Sequence, residues 1–256
     1  LQKLNRYQEA IKIFNHIISL NGNYIPAINN LANSYKAVNN FKKAEEKYIE
    51  ILEKNPNYLQ ALVNYGNLKR EFNQADKAIE LYQKALEIDE GQHLVHYNLA
   101  LTYQGIGDFK NSTLHAEKTL RLKSNFTLAD FIISGNTKYE QTNDHLVKME
   151  DKLSNLNLNE IEKINLHFSL GKAYEDFGKI EKSFYHYKLG NDINKKKTKY
   201  NINQDILLFK IIKDNFDNFD FKNADENVVS TREIIFILGM PRSGTTLIEQ
   251  IISSHS

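Results

Sequence analysis

Over its first half the chain repeats with a period of 34 residues, and that period limits the fold more than any other feature. Ala10, Ala44 and Ala78 stand 34 apart, with Ser112 next in the series. Phe14, Tyr48, Tyr82 and Ala116 form a second series, and Ile17, Ile51, Ala85 and Thr119 a third. On the preceding helix of each unit Leu31, Tyr65 and Leu99 align, followed by Ala32, Gly66 and Ala100, while Tyr35 and Tyr103 align with Lys69 between them. Two antiparallel helices need this alternation. Small residues let the backbones approach where the helices touch, and large ones fill the gaps beside the contact. Each pair leaves an apolar face that the next pair covers, so stability is shared between neighbours. Residues 1–199 are therefore expected to form an α-solenoid of about five to six helix pairs.

The pattern resembles the tetratricopeptide repeat. Pro56 sits where the consensus proline ends the second helix, a place taken by Gly22, Glu90 and Ser124 in the other units. Residues 125–160 keep the length of a unit but lose its aligned small residues; helices are expected there over 125–140 and 144–155. The pattern returns over 161–193, at Leu170, Gly171, Tyr174, Gly178, Ser183, Tyr187 and Gly190, after a unit about three residues too long. The resemblance implies that the first helix of each pair lines a groove. Asn33 and Asn67 occupy equivalent groove positions, with Leu101 third. An asparagine side chain offers a donor and an acceptor, so such a ladder could hold the backbone of an extended acceptor or partner peptide. Asn29, Lys36 and Arg70 would flank it.

After the repeats, residues 200–232 read as a connecting helix, Gln204–Phe216, followed by a polar linker. Residues 233–256 read differently. Ile234–Leu238 is a continuous apolar run, which suits a strand covered on both faces. Leu247, Ile248, Ile251 and Ile252 fall on one helical face. Between them lies Gly239-Met240-Pro241-Arg242-Ser243-Gly244-Thr245-Thr246, with the glycine spacing of a phosphate loop. Amides at the helix start lack intrahelical partners and favour an anion. Ser243, Thr245 and Thr246 add hydroxyl donors, and Arg242 a fixed charge in fork geometry. The nucleoside-triphosphatase form of this loop has Lys where Thr245 stands. That points away from ATP or GTP hydrolysis and toward another 5′-phosphorylated nucleotide, with no need for a metal ion.

The string IFILGMPRSGTTLIEQI, Ile235–Ile251, resembles the 5′-phosphosulfate loop of sulfotransferases, in the form found in bacterial sulfotransferases with tetratricopeptide repeats and in protein-tyrosine sulfotransferases. Leu170–Asn191 is similar to the last repeat of the same family. The resemblance implies an α/β P-loop-like domain beginning at 233, and sulfuryl transfer from 3′-phosphoadenosine 5′-phosphosulfate (PAPS) to an acceptor hydroxyl. Pro241, Arg242, Ser243, Gly244, Thr245 and Thr246 would bind the nucleotide, and Arg242 would also act in catalysis. The family's general base and 3′-phosphate contacts would lie past Ser256, and both ends of the chain read as cut, so this stretch alone is expected to be inactive. A nucleotide kinase or NTPase, and a repeat scaffold with a vestigial end, remain alternatives.

Composition narrows the partners. Thirty-three basic against 32 acidic residues leave a net charge of +1, too little to gather nucleic acid. The absence of cysteine excludes disulfides and thiolate metal sites and fits a reducing, cytoplasmic setting. The longest apolar run, about seven residues, falls well short of the ~20 that span a bilayer. The eight histidines show no metal-ligand spacing. His93 and His96 are three apart on one helix, but the repeat register makes His96 a packing residue.

Overall fold

Twelve helices run through the residues described by the computed structural model, namely 6–140, 143–155, 157–198 and 201–217, and no strand occurs among them. They are α1 (Tyr7–Leu20), α2 (Ile25–Ala37), α3 (Phe41–Lys54), α4 (Leu59–Glu71), α5 (Ala75–Ile88), α6 (His93–Gly105), α7 (Phe109–Leu122), α8 (Thr127–Asn136), α9 (Asp144–Asn155), α10 (Glu160–Asp176), α11 (Ile180–Thr198) and α12 (Ile202–Asp217). The chain divides into one unit over 1–200 and a second over 201–256. The second contains α12, which covers the stretch expected to be helical, Gln204–Phe216. The strand, phosphate loop and helix expected over 233–256 lie outside the described residues. No helix among the described residues is long and apolar enough to cross a membrane.

Within the first unit the 34-residue period becomes a stack of hairpins, α2 with α3, α4 with α5, α6 with α7 and α10 with α11. The helix α1 stands as the second member of a pair, packed on α2. Each hairpin turns the same way. The residue after the first helix's cap takes a left-handed conformation: Asn39 (φ 60°), Asn73 (φ 56°), Gly107 (φ 80°) and Gly178 (φ 76°). Asparagine and glycine tolerate this geometry best. The next amide then reaches back to close the helix end, Asn40 to the Tyr35 carbonyl, Gln74 to Lys69, Asp108 to Tyr103 and Lys179 to Tyr174, all within 2.8–2.9 Å. These bonds satisfy carbonyls that the helix itself leaves unpaired.

The helices of a hairpin meet where the small residues lie. Ala32, Ala44, Ala78, Ala85 and Ala100 are fully buried, as are the rings of Tyr48 and Tyr82. At Gly66 the fit is tightest, since an added Cβ would come within 2.6 Å of the Tyr82 ring. Gly171 faces the Tyr187 ring in the same way, at 2.7 Å. Ile28, Ala32, Ala44, Tyr48, Ile51, Ala61 and Leu68 form one cluster drawn from α2, α3 and α4, so its members serve two adjacent repeats.

The unit over 125–160 departs from the pattern as its sequence foretells. Here α8 stops at Asn136 rather than continuing to 140, because Thr137 turns extended (φ −103°, ψ 135°). It packs on α7 and α10, and α9 lies mainly against α10. Polar pairing holds the irregular segment. Asp130, fully buried, receives Lys152 at both carboxylate oxygens (2.7 Å each) and faces His145 Nε2 at 3.2 Å. The Tyr139 hydroxyl meets His145 Nδ1 at 2.6 Å, and the Tyr139 amide donates to Asp176 at 2.9 Å. A buried carboxylate needs such partners to offset its desolvation.

The shared cluster can be tested by placing a charge in it. Ala44→Asp puts an unpaired carboxylate between two repeats, and we expect it to lower the thermal midpoint strongly, because nothing nearby can compensate the charge. Gly66→Ala must displace the Tyr82 ring and should cost ~1–3 kcal/mol of unfolding free energy. Both are read from melting and urea curves. An unchanged Ala44→Asp curve would contradict the packing register.

Candidate functional site

Successive first helices touch one another, α2 with α4, α4 with α6 and α6 with α8, while no successive second helices approach as closely. A stack whose first helices are closer together than its second helices curves toward the first, and these line its concave face. Of the residues expected to carry function, Asn33, Asn67 and Arg70 lie on this face. Pro241, Arg242, Ser243, Gly244, Thr245 and Thr246 lie outside the described residues.

The structure alters the chemistry expected of the asparagines. The Tyr48 hydroxyl, from the second helix of the hairpin, donates to Asn33 Oδ1 at 2.5 Å, and the Tyr82 hydroxyl donates to Asn67 Oδ1 at 2.7 Å. One acceptor site of each amide oxygen is therefore used inside its repeat. Asn33 and Asn67 each keep an NH2 group, a pair of donors, and one further lone pair on the oxygen. The tie recurs at a fixed separation of 15 residues. An asparagine followed 15 positions later by tyrosine, twice at the repeat period, is the signal that would have revealed it.

The flanking residues divide. Asn29 is almost buried and accepts from Asn64 Nδ2 at 3.1 Å. Lys36 pairs with Glu71 of the next repeat at 2.6 Å. Arg70, one turn beyond Asn67 on α4, makes no ion pair with any described residue, and its Nε is buried without a hydrogen-bond partner. Its guanidinium lies against the Tyr82 hydroxyl. Burial pushes that hydroxyl up to about 12, with Arg70 working in the opposite direction. Arg70 also opposes the rise that burial causes at Tyr97.

Beyond Arg70 the concave face becomes apolar. In the 34-residue register, the place of Asn29 is taken by Val63, then Tyr97, then Phe131. Leu94 and Phe131 are each 49% exposed and Leu128 37%, unusual values for such large apolar groups so close together. Tyr97 and Leu101 are half-buried and support the patch from below, against Phe126 and Ile132.

Two further constellations lay hidden in the sequence. His96 is buried as expected, but its partner was not foreseen: His96 Nδ1 meets His115 Nδ1 at 3.0 Å. The same pair recurs 71 residues on, His167 Nδ1 to His186 Nδ1 at 3.1 Å. A tyrosine stacks on the second histidine each time, Tyr103 on His115 and Tyr174 on His186, both 5.6 Å between ring centres. In each pair one Nδ1 carries the proton and the other accepts it. Burial lowers all four pKa values, and His115 and His186, each facing another imidazole, fall to about 4. No group of three or more His, Asp or Glu side chains able to hold a metal ion occurs among the described residues. A cleft of about 1000 Å³ opens between α7, α8 and α9, with Arg121, Asp130, His145, Lys148 and Lys152 among its walls.

Stacked antiparallel hairpins, small residues at their crossings and a concave face built from first helices define a tetratricopeptide-repeat solenoid. Comparison with known proteins agrees: models described as "Tetratricopeptide repeat" match residues 1–24 and 24–91. A model described as "Sulfotransferase family" matches residues 234–256. No curated protein sequence matches the chain at a significant level. Among solved structures, the chain is similar to the pilF protein of Pseudomonas aeruginosa, with a TM-score of 0.58 and 18% identity over 72% of this chain and 83% of that one. It is also similar to the MamA protein, with a TM-score of 0.54 and 18% identity over 70% of this chain and 96% of that one. At such identity the likeness concerns the fold alone.

The histidine pairs predict how stability follows pH. Their folded pKa values lie below the unfolded value of ~6.5, so their contribution is complete above that pH and is lost as acid protonates the unfolded chain first. We expect the thermal midpoint to fall between pH 6.5 and 5, above the range in which most carboxylates titrate. The double variant His96→Leu, His115→Leu should show a shallower fall, since Leu62 and Leu81 fill the equivalent places one repeat earlier. Parallel profiles would contradict the assignment.

Proposed function

We propose that the chain joins a peptide-holding solenoid to a sulfotransferase active site. The repeats bind an acceptor protein or other partner, and the loop at 239–246 binds the phosphosulfate end of PAPS. The observation that carries this reading is a single stretch of sequence, 234–256. The sulfotransferase family model matches 234–256, and the same residues hold an apolar run, GxxxxG, an internal arginine and three hydroxyls.

In this reading the backbone amides and hydroxyls of Ser243, Gly244, Thr245 and Thr246 hold the 5′-phosphate, and Pro241 helps to shape the turn before them. The sulfur–oxygen bond to the phosphate breaks as a new one forms to the acceptor oxygen. The electron pair passes to the bridging oxygen, where Arg242 stabilises the growing charge. A base must take the acceptor's proton. Positioning and preorganised charge supply the acceleration, and no metal ion is required.

Arg242→Ala in a protein with a complete catalytic domain is expected to lower kcat by on the order of a hundredfold, measured by transfer of radiolabelled sulfate from PAPS. Adenosine 3′,5′-bisphosphate should bind in preference to ATP. Preference for ATP would favour a nucleotide kinase or NTPase, and affinity for neither would leave a repeat scaffold with a vestigial end.

A further inference from the structure

Three features of the concave face concern its ligand, and they rest on the peptide-holding reading of the solenoid given above. First, the tyrosine ties at Asn33 and Asn67 occupy one lone pair of each amide oxygen, so the centre of the groove offers more hydrogen-bond donors than acceptors. Second, Arg70 adds a positive charge beside them. The other cations on this face are already matched, Lys36 with Glu71 and Lys172 with Asp176. Arg70 has no carboxylate partner among the described residues, and its guanidinium lies against the neutral Tyr82 hydroxyl. A half-buried guanidinium without a countercharge favours an anion, and a carboxylate matches its fork geometry. Third, the next two repeats expose Leu94, Leu128 and Phe131 around Tyr97 and Leu101.

We propose that the groove takes an extended peptide that sets an acidic side chain against Arg70 and a bulky apolar side chain against the Tyr97–Leu101–Phe131 patch. The spacing follows from the stack. Neighbouring helix axes lie ~8–10 Å apart, which an extended chain covers in about three residues at ~3.3 Å each. With the offset along the helix axes included (~1.5 Å per residue), the acidic and apolar residues of the ligand stand about three positions apart when the apolar group sits beside Leu101 on α6, and about six apart when it sits beside Phe131 on α8. Asn33 and Asn67 donate to the peptide carbonyls between and before them. A basic peptide would bring like charge to Arg70, and a wholly polar one would leave the patch in water.

The test is fluorescence anisotropy with labelled nonapeptides on the 256-residue chain, without any nucleotide. The probes are Ser/Gly peptides carrying one Glu and one Phe three or six apart, in both orders. Controls replace Glu by Gln or Lys, or Phe by Ser. At least one Glu/Phe peptide is expected to bind tenfold or more tighter than its Lys counterpart, with the gap narrowing as salt is raised. Arg70→Gln should abolish the preference for Glu over Gln while keeping that for Phe. Phe131→Ser should do the reverse for the six-residue spacing. If Arg70→Gln does not fold, as judged by circular dichroism, Asn67→Asp provides the second variant: it places an anion among the donors and should weaken Glu peptides selectively. Equal affinity for Glu and Lys peptides, a Glu preference that survives Arg70→Gln, or no binding by any peptide would overturn the proposal. Binding of adenosine 3′,5′-bisphosphate is measured separately, so failure here leaves the sulfotransferase reading standing, and the reverse holds as well.

Discussion

The first unit depends on a ring pressed against a backbone. Tyr82 lies over Gly66 so closely that no side chain fits between them, and Tyr187 lies over Gly171 in the same manner. The close approach sets the distance between the helices of a hairpin. Burying so large a ring contributes a substantial part of each repeat's apolar stabilisation. The same side chain then extends across the hairpin. The Tyr48 and Tyr82 hydroxyls emerge at the concave face and seize the carbonyl oxygens of Asn33 and Asn67. One residue type therefore does two jobs: its ring fixes the packing, and its hydroxyl orients a groove asparagine and takes up one of its acceptor sites. Packing and recognition are coupled through a single covalent group, so neither can change without the other.

The histidine pairs and the irregular unit vary the same theme. In α6/α7 and α10/α11 the place of two apolar residues is taken by two imidazoles sharing one proton. Such a contact is satisfied only when the pair carries a limited charge, whereas a leucine pair is indifferent to pH. Between these two hairpins the chain loses the small-residue pattern, and there the packing is held instead by Asp130, Lys152, His145 and Tyr139. A solenoid tolerates this substitution because each repeat touches only its neighbours. Direct packing of α8 on α10 carries the stack across the gap.

Much of the fold was legible from the period alone. The small and large series place the helix crossings, and Ala44, Ala78, Ala85, Ile51 and Tyr82 are all fully buried. The register also made His96 a packing residue, which it is. Less could be read where a residue's partner comes from another helix. His115 gives no sign in sequence of facing His96, and nothing in Asn33 says that its oxygen is taken. Asparagine chemistry suggests a donor and an acceptor, and only the position of Tyr48 shows that one acceptor site is already taken. Helix α8 was expected to reach residue 140 because its composition stays helical; it ends at Asn136, whose side chain bonds Gln104 and Ser112 and holds the chain in the turn. The stretch expected to form a phosphate loop lies outside the described residues, so its reading rests on its motif and on the family match.

The central claim is that the tyrosine–asparagine tie links repeat packing to groove chemistry. A double-mutant cycle of Tyr82→Phe and Asn67→Ala, measured by urea unfolding, tests it most directly. The account predicts a coupling energy of about 0.5–1.5 kcal/mol, that of a partly buried neutral hydrogen bond. Additive single-variant effects, with no coupling, would contradict it.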